Sequence, residues 1–388
     1  MPRFAVLIAS TMLTRIPYAI NGLAVILFLR AETGSFATAG LAAGGLALGA
    51  GIAAPLVGRL VDRQGAVLLM PVAIGHAAAI LSLWVLGVSD APSALLVACA
   101  ALAGLCYPPS GSVLRSRWPE MMDGDPELLR GAFALDSVMI EVSFVTGPLL
   151  TAVLVALISP QAALAVSAAL VVAGTALFLF YLPDRRRVIP HESRVGGLGP
   201  LRSPGIRAVA LSTIPFGFMI GTVEVALPAF SEIEGSAALA GVLLALWSLA
   251  SGVGGLVFGA RQPRRELLDI YLSVTLLFPF LCLPLILASS PVAMGVLVLA
   301  AGAPIAPLIA TRNQLISIVA PAGTGTEAFS WLMTSLIAGI SLGTAIAGTL
   351  IEHAGWEEAV AAGVAVALIG SIASFVWRGA LRPTAVTA

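Results

Sequence analysis

Twelve apolar runs, each of about 19 to 26 residues, most constrain what this chain can fold into. A hydrocarbon core about 30 Å thick is crossed by about 20 helical residues. The runs are Phe4–Leu29, Ala37–Val57, Val67–Gly87, Ala94–Val113, Ala132–Leu157 and Ala162–Leu182, then Ala208–Phe230, Ala237–Phe258, Ile270–Ala288, Val292–Ala310, Ala328–Ile351 and Ala359–Trp377. Lipid offers a backbone no hydrogen bonds, so each crossing must be a helix or part of a closed barrel. The runs lack the period-two alternation of barrel strands, which leaves helices. Only 10% of the residues are charged and 59% are hydrophobic. A water-soluble domain carries about 25% charged residues, so this chain lacks the polar surface to cover itself in water. The first run is too long for a signal-peptide core, so no cleaved leader is expected.

Arginine placement gives a direction. Every basic residue is arginine. With the N-terminus in the cytoplasm, 18 of the 20 arginines fall in cytoplasmic segments, Arg115, Arg117 and Arg312 among them. Arg30 lies outside and Arg15 inside a span, while the outer loops carry Glu32, Asp90, Glu232, Glu234, Glu352, Glu357 and Glu358. Positive residues stay on the cytoplasmic side of a membrane. A multi-pass protein of the inner (plasma) membrane is therefore expected, with both termini cytoplasmic.

The chain repeats itself. Ile16-Pro17-Tyr18 returns as Ile214-Pro215-Phe216, and Gly104 and Pro109 as Gly302 and Pro307, all displaced by 198. Gly34-Ser35, Ala39-Gly40 and Gly58 return as Gly235-Ser236, Ala240-Gly241 and Gly259 at 201; Ala132-Phe133 and Gly147 return as Ala328-Phe329 and Gly343 at 196. Near-constant displacement in chain order marks a duplicated six-helix unit. Residues 1–182 form a first bundle and 207–388 a second. The proline- and arginine-rich stretch 183–206 is a cytoplasmic linker.

Between the second and third runs stands Gly58-Arg59-Leu60-Val61-Asp62-Arg63-Gln64-Gly65. It resembles the loop signature G-x-L-x-D-R-x-G of the major facilitator superfamily. The resemblance implies an all-α membrane protein of twelve transmembrane helices in two pseudo-symmetric six-helix bundles. It also implies a gating role for Gly58, Asp62, Arg63 and Gly65. Gly58 would let helices approach closely, and Asp62 would accept from helix N-terminal amides. The basic residues that usually follow the last glycine are absent, and the second half keeps only Gly259, with Pro263, Arg264 and Arg265 where the acidic position would fall. In the fifth run Gly147-Pro148 resembles the core of the exporters' antiporter motif, with a helix bend at that pair.

Ionisable groups within spans default to functional hypotheses. Arg15 and Glu141 lie roughly 17 Å and 14 Å along their spans at 1.5 Å per residue, and are expected to pair or to share a substrate or proton. Asp136 is assigned to Arg115 or Arg117 but stays, with Glu141 and Glu224, among the groups that would exchange a proton against substrate. Glu224 is taken as a proton carrier or as wetted at the outer vestibule, His76 as hydrogen-bonded packing and Glu327 as serving a helix N-terminus. The family resemblance implies that spans one, four, seven and ten line the cavity, which nominates Tyr18, Asn21, Tyr107, Phe216, Asn313 and Gln314. Breaks or bends are expected at Pro17, Pro108-Pro109, Pro215 and Pro307.

Cys99, Cys106 and Cys282 show neither metal spacing nor a disulfide framework. No phosphate-binding glycine loop, catalytic triad or cofactor motif is present, so an enzyme is not expected and no cofactor is implied. Zero net charge gives no face for nucleic acid. Asn21 and Asn313 are the only asparagines, so an amphiphilic or weakly charged organic substrate is preferred over a sugar. The expectation is a monomeric secondary transporter in the lipid bilayer that moves a small molecule by alternating access, with protons driving efflux. A proton symporter or facilitator for uptake is the alternative. A non-transporting membrane sensor or partner subunit is the alternative of another class.

Overall fold

The computed structural model describes residues 2–122, 125–183, 185, 200–260, 266–319 and 325–381. Most of the expected linker, and the second-half residues Pro263, Arg264 and Arg265, lie outside these. Among the described residues every regular element is helical: α1 Pro2–Thr33, α2 Phe36–Gln64, α3 Leu69–Val88, α4 Ser93–Leu105, α5 Ser110–Met121, α6 Pro126–Leu157 and α7 Pro160–Tyr181, then α8 Pro204–Ile233, α9 Ala237–Ala260, α10 Leu267–Cys282, α11 Pro291–Gly302, α12 Ile305–Val319, α13 Gly325–His353 and α14 Trp356–Val376. These build 12 segments long and apolar enough to cross a membrane. Their outer faces stay apolar, with Phe180 73% and Val292 78% exposed, as lipid requires and water would penalise.

Two crossings are each made of two α-helices. The fourth, Ser93–Arg115, joins α4 to α5, and the tenth, Pro291–Ile316, joins α11 to α12. Pro108 and Pro109 lack the N–H groups a continuing helix needs, and they bias the preceding residue away from helical geometry. Pro304 does the same between α11 and α12. Other expected interruptions are corrected. α1 runs unbroken through Pro17 and α8 through Pro215, because packed neighbours and tolerant backbone let membrane helices carry proline. Pro307 sits inside the first turn of α12 rather than at the break.

The chain forms two compact units, Met1–His191 with Ser236–Ala245, and Glu192–Gly235 with Leu246–Ala388. In the first, α1 packs on α7, α6 and α2. In the second, α8 takes the equivalent place and packs on α13 and α14. The duplication extends to single contacts. A side chain at Gly104 would strike the backbone of Leu46, and one at Gly302 the backbone of Trp247; the displacements of 198 and 201 map one pair onto the other. Likewise Gly147 seats α6 on Ala19 and Ile20 of α1, and Gly343 seats α13 on Phe218 of α8. Small residues at these crossings let two backbones approach within van der Waals contact, the chief attraction between helices in lipid.

Candidate functional site

The first unit gathers its charge at one point. Arg15 on α1 donates through Nη2 to Oδ1 of Asp136 on α6, and through Nη1 to the Asp136 carbonyl oxygen at 3.2 Å. Arg115 on α5 donates to Oδ2 of the same carboxylate at 3.0 Å. The Asp136 side chain is only 5% exposed and that of Arg15 13%. One carboxylate thus ties three helices together. Gly111, two residues into α5, makes room: a Cβ there would fall inside the Arg15 guanidinium. The expected Arg15–Glu141 pair is therefore replaced by Arg15–Asp136, while the Arg115–Asp136 contact is as anticipated. Glu141 is partly buried on α6, and no described residue hydrogen-bonds or pairs with it.

Beside this cluster the α4–α5 break turns Tyr107 inward. Its hydroxyl donates to the carbonyl oxygen of Thr14. Its ring lies 5.3 Å from Tyr18 and 5.1 Å from His76, edge-on to both, and Tyr18 meets Phe144 at 6.4 Å. His76 Nδ1 donates to the Ala103 carbonyl at 2.7 Å, leaving Nε2 to accept from Asn21 Nδ2 at 3.0 Å. A singly protonated ring satisfies both bonds at once. His76 thus packs by hydrogen bonding, as its sequence context suggested, and it fixes Asn21, which is fully buried.

In the second unit Glu224 is partly buried on α8, with no hydrogen bond or ion pair from any described residue. Asn313 and Gln314 on α12 are exposed in this structure. Phe216 is buried against Phe278, with ring centroids 5.1 Å apart. The residue that sequence reasoning missed is Arg312. Counted above as a cytoplasmic loop arginine, it lies inside α12 and is 2% exposed. Its guanidinium sits 4.2 Å from the Phe216 ring centroid and donates to the Ser212 carbonyl at 3.1 Å. The repeat held the signal, since the 198 displacement carries Arg115 to Asn313, one residue away.

The signature segment is mostly helix. Gly58 to Gln64 form the last turns of α2, and only Gly65 turns the chain, at φ 94° with its N–H donating to the Val61 carbonyl at 2.7 Å. That positive φ suits glycine and strains other residues. Arg63 is exposed; the Arg59 and Asp62 side chains, and that of Glu327, lie outside the described residues. The expected close approach at Gly58 is not made among the described residues, because a Cβ there would meet none of their atoms within 4 Å. Gly147 does make the tight contact expected of a small residue, and α6 continues through Pro148.

Twelve apolar crossings in two six-helix bundles, with charge clustered inside them, define a multi-pass membrane protein of the transporter fold. The chain belongs to the Major Facilitator Superfamily, which it matches over residues 7–326. It is 27% identical over 271 residues to an uncharacterized MFS-type transporter, y4rN, of Sinorhizobium fredii. That match covers 66% of this chain and 65% of the relative, just under two thirds of the relative's length. Among solved structures it resembles the nucleoside transporter NupG, with TM-score 0.73, 13% identity and coverage of 97% of this chain and 99% of that one. It resembles a bacterial homologue of the iron transporter ferroportin equally well, with TM-score 0.73, 15% identity and coverage of 97% and 98%. At such identities the likeness is one of fold.

Proposed function

We propose that this protein is a secondary active transporter that exports a small organic molecule by alternating access, driven by protons moving the other way. The observation that carries the proton coupling is the division of labour among the acidic candidates. Asp136 is committed to Arg15 and Arg115, so its charge is neutralised in place. Glu224 and Glu141 have no such partner among the described residues. A carboxylate in a span with no fixed counter-charge is costly when ionised. It lowers that cost by taking up a proton, and gives the proton up where water or a cationic group reaches it. Glu224 is assigned as the principal carrier and Glu141 as the second. Export rests on Gly147-Pro148, the surviving core of the exporters' motif.

The test is solute-dependent proton flux in proteoliposomes loaded with a pH-sensitive dye, across a panel of small amphiphilic solutes. Wild type is expected to move protons only with a transported solute. Glu224→Gln is expected to keep solute exchange and lose proton flux. Undiminished proton flux in both Glu224→Gln and Glu141→Gln overturns the coupling assignment.

A further inference from the structure

The second unit contains a buried positive charge whose balancing anion is not among the described residues. Arg312 Nε and Nη1 have no hydrogen-bond partner, although both are fully buried. The hydroxyl of Thr275 on α10 is a third orphan. Arg312 and Thr275 line one small cavity together with Ser212, Phe216 and Ser371. Buried polar atoms are nearly always satisfied, and a buried arginine stripped of its partner costs several kcal/mol. A water in the cavity would accept from the N–H groups but leave the charge uncompensated. Only an anion answers both demands.

The first unit shows what the second lacks. There Arg15 and Arg115 share Asp136. The displacement of 196 that maps Gly147 onto Gly343 maps Asp136 onto Leu332, a buried aliphatic side chain at 5% exposure. The second unit has thus kept an arginine near the equivalent place and replaced the carboxylate by leucine. The Tyr271 hydroxyl is held by Ser212 Oγ at 2.7 Å and Ser374 Oγ at 3.3 Å and also interacts with the Arg312 guanidinium, which lies 5.9 Å from its ring centroid. As a neutral phenol it brings Arg312 no balancing charge.

We infer that the cavity beside Arg312 and Thr275 binds a small monovalent anion, either a halide ion or the carboxylate end of an organic solute. The guanidinium supplies the charge and Thr275 a neutral donor. The Phe216 face closes one side, and the cavity has room for about one water-sized group, so a single halide ion fits more readily than a carboxylate, and phosphate or sulfate least. The site lies wholly within the second unit and does not depend on proton coupling.

Thermal unfolding of the purified protein in detergent tests this, with sodium gluconate exchanged for chloride or formate at constant ionic strength. A saturable rise in Tm with either anion is expected in wild type. Arg312→Gln should abolish it, and Thr275→Val should raise the half-saturating concentration several-fold. Chloride saturation that formate does not compete away identifies a halide site; mutual competition identifies a site that also takes carboxylates. The proposal falls if neither anion gives a saturable shift in wild type. It falls if Arg312→Gln keeps the shift. It also falls if Glu327→Gln destabilises as much as Arg312→Gln with no further loss in the double variant, which would supply an internal partner. Should Arg312→Gln fail to fold, the wild-type and Thr275→Val titrations still decide.

Discussion

Arg15 grips Asp136 twice, once at the carboxylate and once at the backbone carbonyl, so the ion pair also fixes the local position of α6 against α1. Asp136→Asn should therefore destabilise the protein by about 3 kcal/mol or more, the cost of leaving a buried charge without its partner. Glu141→Gln breaks no contact with a described residue and should change stability little. Thermal unfolding of the two variants separates them. If the loss comes from stranded charge, Arg15→Gln combined with Asp136→Asn should cost less than the sum of the single changes.

Pairing Arg15 with Glu141 failed as an expectation for a reason of helical phase. Depth along a helix is readable from sequence, and it places Asp136 and Glu141 within about 8 Å of each other at 1.5 Å per residue. Facing is a different quantity. Five residues at about 100° each turn the two side chains about 140° apart, and only the packing of α6 on α1, set by Gly147 against Ala19, chooses which one meets Arg15. Arg312 was hidden similarly. The apolar window ends at Ala310, yet α12 continues to Val319, because helices α8 and α10 shield the guanidinium that hydropathy assigns to water. The twelve crossings, the duplication and the role of His76 were legible because they depend on run length, spacing and local chemistry.

Room for the Arg15 guanidinium depends on the missing side chain at Gly111. Gly111→Ala would place a methyl group where the guanidinium now lies. Overpacking of this kind costs about 1–3 kcal/mol, and here it should also weaken the Arg15–Asp136 bond. Gly111→Ala is expected to lower Tm in wild type and to add little to Asp136→Asn, where the bond is already gone. Equal penalties in both backgrounds would place the effect elsewhere.

His76→Leu removes both bonds of the imidazole and leaves the Ala103 carbonyl and the Asn21 amide without their partner. Stranding buried polar groups costs about 1–3 kcal/mol each, so a clear loss of Tm is expected. Since His76 serves packing, the pH dependence of solute-driven proton flux should keep its midpoint in whatever fraction of the variant folds. A displaced midpoint would make His76 part of the proton path.

The duplicated glycines do not all serve one purpose, and substitution should sort them in pairs. Gly104 and Gly302 are equivalent under the repeat, and each holds a backbone crossing at which a Cβ would strike a carbonyl oxygen, of Leu46 and Trp247 respectively. Neither obstacle is a side chain that could swing aside, so the helices themselves must separate. Gly104→Ala and Gly302→Ala should each cost about 1–3 kcal/mol, by similar amounts. Gly58 and Gly259 are equivalent too, yet a Cβ at either meets no atom of the described residues within 4 Å, and alanine is the better helix former. Gly58→Ala and Gly259→Ala should leave Tm unchanged or raised in detergent. A loss of transport in Gly58→Ala with Tm intact would then tie this signature glycine to the transport cycle rather than to the packing of the resting fold.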